Sequence, residues 1–242
     1  MSGASRVLAL IPAKGCSTRL PRKNVARLGG KTLLEWTVAS ARNSGVCDMI
    51  LVSTEDAEIA DQARALGAEV PFLRPAELAR DPFGIPDVAL HALQQLEDAG
   101  KEFDVIAILP PTAPFRTGAD VAATVRLVLS GRAPFAATVT DCAENPFVAH
   151  ALDKDSGELR PLFPEMIGKR GPEMPKAVRP NGAVMACRVD AFRAARNYYG
   201  YPMLAQHMPR HRSVDIDHDF DLEYAEYLLR THPDWFDGAD ES

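Results

Sequence analysis

From Val7 to Thr140, short apolar runs alternate with apolar stripes at helical spacing, and few folds accept that pattern. Val7–Pro12 is continuously apolar rather than alternating, as a strand buried on both faces must be. Leu34, Val38 and Ala41 then recur at i, i+4 and i+7, a helix stripe, with Gly45 where a helix would end. Met49–Ser53 reads as a second strand, 57–66 as a helix stopped by Gly67, and Val70–Leu73 as a short third strand. Ala89, Leu93 and Leu96 mark a helix closed by Gly100. Val105–Leu109 follows as a strand, Val121, Val125 and Val128 as a helix, and Phe135–Thr140 as a fifth strand. The alternation predicts an α/β fold, a Rossmann-like, mostly parallel sheet with helices on both faces. Ligands of such sheets sit beyond the carboxyl ends of the strands, which singles out residues 13–24, 53–56, 73–86 and 110–118.

The pattern breaks between 143 and 178, where Pro146, Pro161, Pro164, Pro172 and Pro175 surround a turn at Asp155-Ser-Gly157. This stretch is expected to be an arm or subdomain leaving a single domain that spans 1–242. The α/β pattern resumes with a strand at Gly182–Cys187, a helix near Asp190–Arg196, a strand at Ser213–Asp217 and a helix at Asp219–Arg230. An acidic tail, expected to be mobile, begins at Asp234. No apolar run reaches 18 residues, and the first 12 residues do not form a secretion signal, so a cytoplasmic protein with no membrane contact is expected. Cys16, Cys47, Cys142 and Cys187 make no C-x-x-C pair, which suits reduced thiols and argues against zinc.

Charge is unevenly distributed. The net charge is −6, from 27 basic and 33 acidic residues, yet no acidic residue precedes Glu35. Arg6, Lys14, Arg19, Arg22, Lys23, Arg27 and Lys31 all fall in that opening segment, so the remainder is strongly acidic. A local anion site fits this better than a nucleic-acid surface, which needs basic residues spread over a face. A merely solvated basic loop is the alternative.

The loop after the first strand joins this charge to backbone freedom. Gly15 lets the chain approach a ligand closely, and successive amides there can form an anion nest. Lys14, Arg19, Arg22 and Lys23 supply charge for a polyphosphate. It is not a Walker A loop, since Gly29-Gly-Lys-Thr32 lacks a first glycine at Val25, and no G-x-G-x-x-G is present. Farther on, Asp215 and Asp217 would share one face of an extended segment. Adjacent carboxylates repel unless a cation or proton lies between them, and Mg²⁺ bridging to phosphates is a natural occupant. Two solvated edge carboxylates are the alternative. An EF-hand is excluded because Phe220 stands where the calcium loop needs glycine, and Asp219 is expected to cap the last helix. Arg179-Pro-Asn-Gly-Ala183 offers a guanidinium for a carboxylate, and Leu109–Arg116 is a stiff three-proline loop.

Together, Ile11–Asn24, Val52–Asp56, Phe72–Leu78, Pro111–Arg116, Arg179–Ala183 and Asp215-Ile-Asp217 resemble the acylneuraminate cytidylyltransferase family in order and over nearly the whole chain. The resemblance implies a nucleotidyltransferase of GT-A-like architecture. It would transfer CMP from CTP to the anomeric hydroxyl of a nine-carbon α-keto sugar acid and release pyrophosphate. It further implies Mg²⁺, a homodimer, and a dimerisation role for the 143–178 arm. Carried onto this chain, Lys14, Gly15, Ser17, Arg19 and Asn24 would hold the nucleotide, and Arg74 would frame the cytosine. Lys23 and Asp217 would be catalytic, with Asp215 and Asp217 as metal ligands and Asp217 also taking the hydroxyl proton. Thr112, Arg116, Arg179 and Asn181 would contact the sugar acid. The chain departs from the family at Lys14, where arginine is usual, and at Pro110, where sialic-acid enzymes carry glutamine. Other sugar nucleotidyltransferases, including Kdo-type enzymes, and a non-catalytic nucleotide-binding relative are the alternatives.

Overall fold

A computed structural model describes residues 5–17 and 19–236; the acidic tail beyond Phe236 lies outside the described residues. Its central sheet contains β1 (Val7–Pro12), β4 (Met49–Ser53), β5 (Val105–Ile108), β6 (Phe135–Asp141), β9 (Val178–Arg188) and β10 (Met203–His207). The spatial order is β10-β6-β9-β5-β1-β4, and only β9 runs against its neighbours. Two small hairpins complete the β structure: β2 (Arg27–Leu28) with β3 (Lys31–Thr32), and β7 (His150–Leu152) with β8 (Leu159–Pro161).

The two-sided burial expected of β1 is present residue by residue. Val7, Ala9 and Ile11 pack under α1 (Leu33–Asn43), α2 (Ala57–Ala65) and α4 (Gly118–Leu129). Leu8 and Leu10 face the opposite layer, with α3 (Ile85–Asp98) and α5 (Val189–Ala195). Each fully buried aliphatic side chain contributes about 1.5–3 kcal/mol of transfer free energy, so the central strand is fixed in register from both sides. Polar caps set the helix starts: Thr32 Oγ1 accepts from Glu35 N, and Asp56 Oδ1 accepts from Glu58 N and Ile59 N at 2.9 and 3.1 Å. The last helix, α6 (Asp219–Thr231), closes one end of the sheet over Trp36, Phe115 and Ile216. Among the described residues no helix is long and apolar enough to cross a membrane.

Three local expectations change, and one strand was not expected. Val70–Leu73 is not a strand, because the chain bridges Leu51 at Glu69 alone and then turns away. The edge strand β10 has no clear sequence signal, since Met203–His207 lacks an apolar alternation. Ser213–Asp217 is extended but joins no ladder; its Ile216 N–H donates to Thr112 O at 2.7 Å instead. Finally, His218 rather than Asp219 stands before α6. Asp221 Oδ2 accepts from the N–H groups of Asp217 and His218 at 3.0 and 2.8 Å, fastening the extended segment to the helix. The 143–178 stretch is an excursion carrying the β7–β8 hairpin.

Candidate active site

The 13–24 loop crosses the carboxyl edge of β1 and is held by its neighbours. Asn24 Nδ2 donates to Lys14 O at 2.8 Å, and Gly15 N donates to Glu55 Oε1 at 2.8 Å. Those two groups belong to one peptide unit, so the Lys14–Gly15 plane is gripped from both sides. Gly15 is needed here for space: a Cβ would lie 2.4 Å from Asp56 Oδ2 and 2.8 Å from Asp56 Cβ. The close approach at Gly15 is therefore to Asp56, and the amide expected in an anion nest rests on Glu55.

The loop's cations converge on a carboxylate from the far end of the chain. Lys23 Nζ lies 2.6 Å from Asp217 Oδ1, and Arg19 Nη1 lies 2.6 Å from Asp217 Oδ2. Lys23 is 8% exposed, so its ammonium has little water and depends on this partner. Burial alone would raise the Asp217 carboxyl, but the hydrogen bond and charge of Lys23, with Arg19 behind it, hold it below the usual carboxylate range. Asp215 opens onto the same space, and among the described residues no cation forms an ion pair with it, though the Lys23 charge reaches it. Crowding by protein pushes its carboxyl up, a Thr112 hydrogen bond opposes this, and the Asp217 charge adds to the rise. The two carboxylates share a cavity, as their alternation with buried Ile216 predicts, but only Asp217 is in direct contact with Lys23 and Arg19.

That cavity, ≈ 270 Å³, is lined by Lys14, Lys23, Asn24, Arg74, Thr112, Asp215 and Asp217 on its polar sides, with Pro110 and Pro111 between them. Leu78, Phe83, Ile85 and Val88 form an apolar wall. An outer basin lined by Lys14, Cys16, Ser17, Arg19, Lys23, Arg80 and a single carboxylate, Asp81, adjoins it through Lys14 and Lys23. A polyphosphate suits the basic outer half, and a ring with apolar faces suits the inner half. A separate groove behind the loop, lined by Arg22, Arg27, Glu35, Glu58 and Gln62, mixes charges and shares none of these residues.

Three expected contact residues stand elsewhere. Arg116 is fully buried, and its guanidinium donates to Pro110 O, Ala113 O, Ala183 O, Thr37 Oγ1 and Ser40 Oγ at 2.7–3.2 Å. It therefore stiffens the proline loop from beneath. Asn181 is 3% exposed. Its Oδ1 accepts from Thr138 Oγ1 and Ala183 N, and its Nδ2 donates to Ser213 Oγ. It braces the irregular pairing where β9 slips past β6 around Val139, with Gly182 at φ +72°. Arg179 lies exposed opposite Thr140, where its Nη1 donates to Pro180 O at 3.5 Å. The apolar wall and Glu55 went unread as site residues. Gly84 and Pro86 are the helix-start signal that could have placed Ile85 and Val88 at the cleft.

A basic loop after the first strand, a carboxylate pair opposite it and a mixed α/β sheet beneath them define a nucleotidyltransferase. A sequence pattern described as Cytidylyltransferase matches residues 8–81. The chain is 29% identical to the CMP-N,N'-diacetyllegionaminic acid synthase of Legionella pneumophila, covering 93% of this chain and 96% of that one. It is 26% identical to a pseudaminic acid cytidylyltransferase of Campylobacter jejuni, covering 93% and 97%. In fold it is similar to a CMP:2-keto-3-deoxy-manno-octonic acid synthetase solved with CTP, with a TM-score of 0.70 at 15% identity over 93% of this chain and 99% of the other. Over nearly its whole length the chain is similar to cytidylyltransferases that act on sugar acids.

Proposed function

We propose that this protein transfers CMP from CTP to the anomeric hydroxyl of a nine-carbon α-keto sugar acid and releases pyrophosphate. The observation that carries this reading is the Lys23–Asp217–Arg19 cluster, set where the basic basin meets the inner cavity. The anomeric oxygen attacks the α-phosphorus in line as the bond to the pyrophosphate oxygen breaks. Lys14, Lys23 and Arg19 neutralise charge that builds on the phosphates and leaving group, and the rigid loop holds them in place beforehand. While Lys23 and Arg19 sit on Asp217, that carboxylate is a poor proton acceptor. Phosphate oxygens that draw the two cations away restore its basicity for the hydroxyl proton.

The donor set fits a divalent cation. Asp215 and Asp217 are hard oxygen donors on one cavity wall, and the described residues hold no cluster of three or more metal-ligating side chains. An ion there would complete its shell with substrate oxygens, as Mg²⁺ does. When bound, it would supply Lewis-acid polarisation of phosphoryl oxygens.

The exposed Leu152, Leu159, Leu162 and Ile167 on the arm support the homodimer reading, with the arm covered by a second copy. Four free cysteines, one of them exposed, support a reducing, cytoplasmic setting. The test is pyrophosphate release from CTP and Mg²⁺, measured with nine-carbon acids of the sialic, legionaminic and pseudaminic types and with the eight-carbon acid Kdo. Turnover with a nine-carbon acid supports the reading. Turnover with Kdo alone, or with no acid, overturns it.

A further inference from the structure

The acidic turn after β4 contributes nothing to the inner cavity wall, yet it holds that wall from behind. Glu55 Oε1 accepts from Gly15 N at 2.8 Å. Its other oxygen accepts from Arg74 Nε and Nη2 at 3.1 and 2.7 Å. Arg74 lines the cavity while being 4% exposed, and its own N–H donates to Thr54 O at 2.9 Å. One carboxylate thus ties the first bend of the basic loop to the guanidinium across the pocket. The loop side of this tie is specific. With Lys14 O held by Asn24, Glu55 on the adjoining N–H fixes the orientation of the peptide that follows Lys14, a residue lining both cavities.

We propose that Glu55 is a positioning residue for the nucleotide, setting the phosphate-receiving loop and Arg74 from a single carboxylate. This rests on reading the cleft as a CTP site. A nucleotide touches Lys14 at one end of that tie and Arg74 at the other, so loosening Glu55 weakens ground-state and transition-state binding together. The expected signature is a loss of CTP affinity with turnover at saturation largely kept.

Glu55→Gln keeps an acceptor for Gly15 but removes the charge facing Arg74, and Glu55→Ala removes both. CTP binding is measured by calorimetry without acceptor, and steady-state kinetics follow with each sugar acid. Hydrogen exchange of the 13–24 segment is read without any ligand, and thermal melting checks the fold. Glu55→Gln should weaken CTP binding about tenfold, the scale of one charge-assisted hydrogen bond. Its kcat should stay within about threefold and the acid KM should be unchanged. Exchange should quicken within 13–24 and at the Arg74 amide. In a cycle with Arg74→Ala, the double variant should bind CTP about as weakly as the worse single variant. Wild-type CTP affinity in folded Glu55→Gln or Glu55→Ala overturns the proposal, whatever the exchange shows. Wild-type protein that binds CTP but makes no pyrophosphate overturns the acceptor assignment instead, and Glu55 is still decided by its effect on Kd.

Discussion

The Lys23 ammonium lies 2.6 Å from one oxygen of Asp217 while Arg19 holds the other oxygen at the same distance. Residues from opposite ends of the chain therefore close the cleft on an internal ion cluster, and an incoming polyphosphate must compete with Asp217 for both cations. Replacing Lys23 with alanine is expected to raise the KM for CTP and lower kcat by about 10²-fold, because charge on the leaving group is greatest in the transition state. Pyrophosphate release at limiting and saturating CTP measures both effects. Unchanged kinetics would assign Lys23 to Asp217 alone.

Asp215→Asn and Asp217→Asn should each reduce pyrophosphate release by about 10²-fold or more; Asp215→Asn should melt near the parent, whereas Asp217→Asn removes the counter-charge of the buried Lys23 and should melt lower. Excess chelator should do the same to the wild-type protein. Full activity in chelator would remove the divalent cation from the mechanism.

Gly15→Ala drives a methyl group into Asp56, which caps α2 through the amides of Glu58 and Ile59. Loss of that cap costs about 1 kcal/mol, or about 2–4 °C for a chain of this size. CTP binding should weaken as well, because the Lys14–Gly15 peptide must shift. A thermal melt and a CTP titration of the purified variant check both.

Arg116→Lys keeps a charge but loses most of the donors that satisfy Pro110 O, Ala113 O and Ala183 O. Each buried acceptor left unpaired costs about 1–3 kcal/mol, so the variant should melt well below the parent. KM values for both substrates, measured below its melting point, should stay close to wild type. A large KM change in a stable variant would return Arg116 to the substrate.

Stability should also report on Glu55. Burial opposes its ionisation, but its own backbone hydrogen bond, Arg74 and the Gly15 amide prevail and hold it below the usual glutamate value. A carboxyl lowered by folding stabilises the protein above its unfolded pKa of about 4.3, and that contribution is lost as pH falls through the folded value. The stability gap between wild type and Glu55→Gln should therefore be constant from neutral pH down to about pH 5 and shrink below it. Denaturant unfolding across that range gives the gap directly. A gap that widens on acidification would contradict the ionised state.

The sheet was legible because strands buried on both faces are almost wholly apolar, and Val7–Pro12, Met49–Ser53 with Ser53 alone polar at its end, and Val105–Ile108 are written that way. β10 was not, because an edge strand such as Met203–His207 is half-solvated and tolerates Gln206 and His207. At the site, Lys23 and Asp217 were legible as types, a cation and a carboxylate in exposed-looking loops, but their mutual contact spans 194 positions and leaves no local trace. Arg116 and Asn181 misled for a chemical reason. A guanidinium or amide reads identically whether its partner is a ligand or a buried carbonyl, and only the fold decides between them.

β6 and β9 pair along their length, and their register ends with Asp141 opposite Val178. Everything between those two residues leaves and returns through a single rung of the ladder, so the central sheet sees the whole excursion as one long hairpin loop. A segment attached in that way can lengthen, shorten or change its sequence without moving any residue of β1, β4 or β5. The scaffold under the cleft is in this way mechanically independent of the largest irregular segment of the chain.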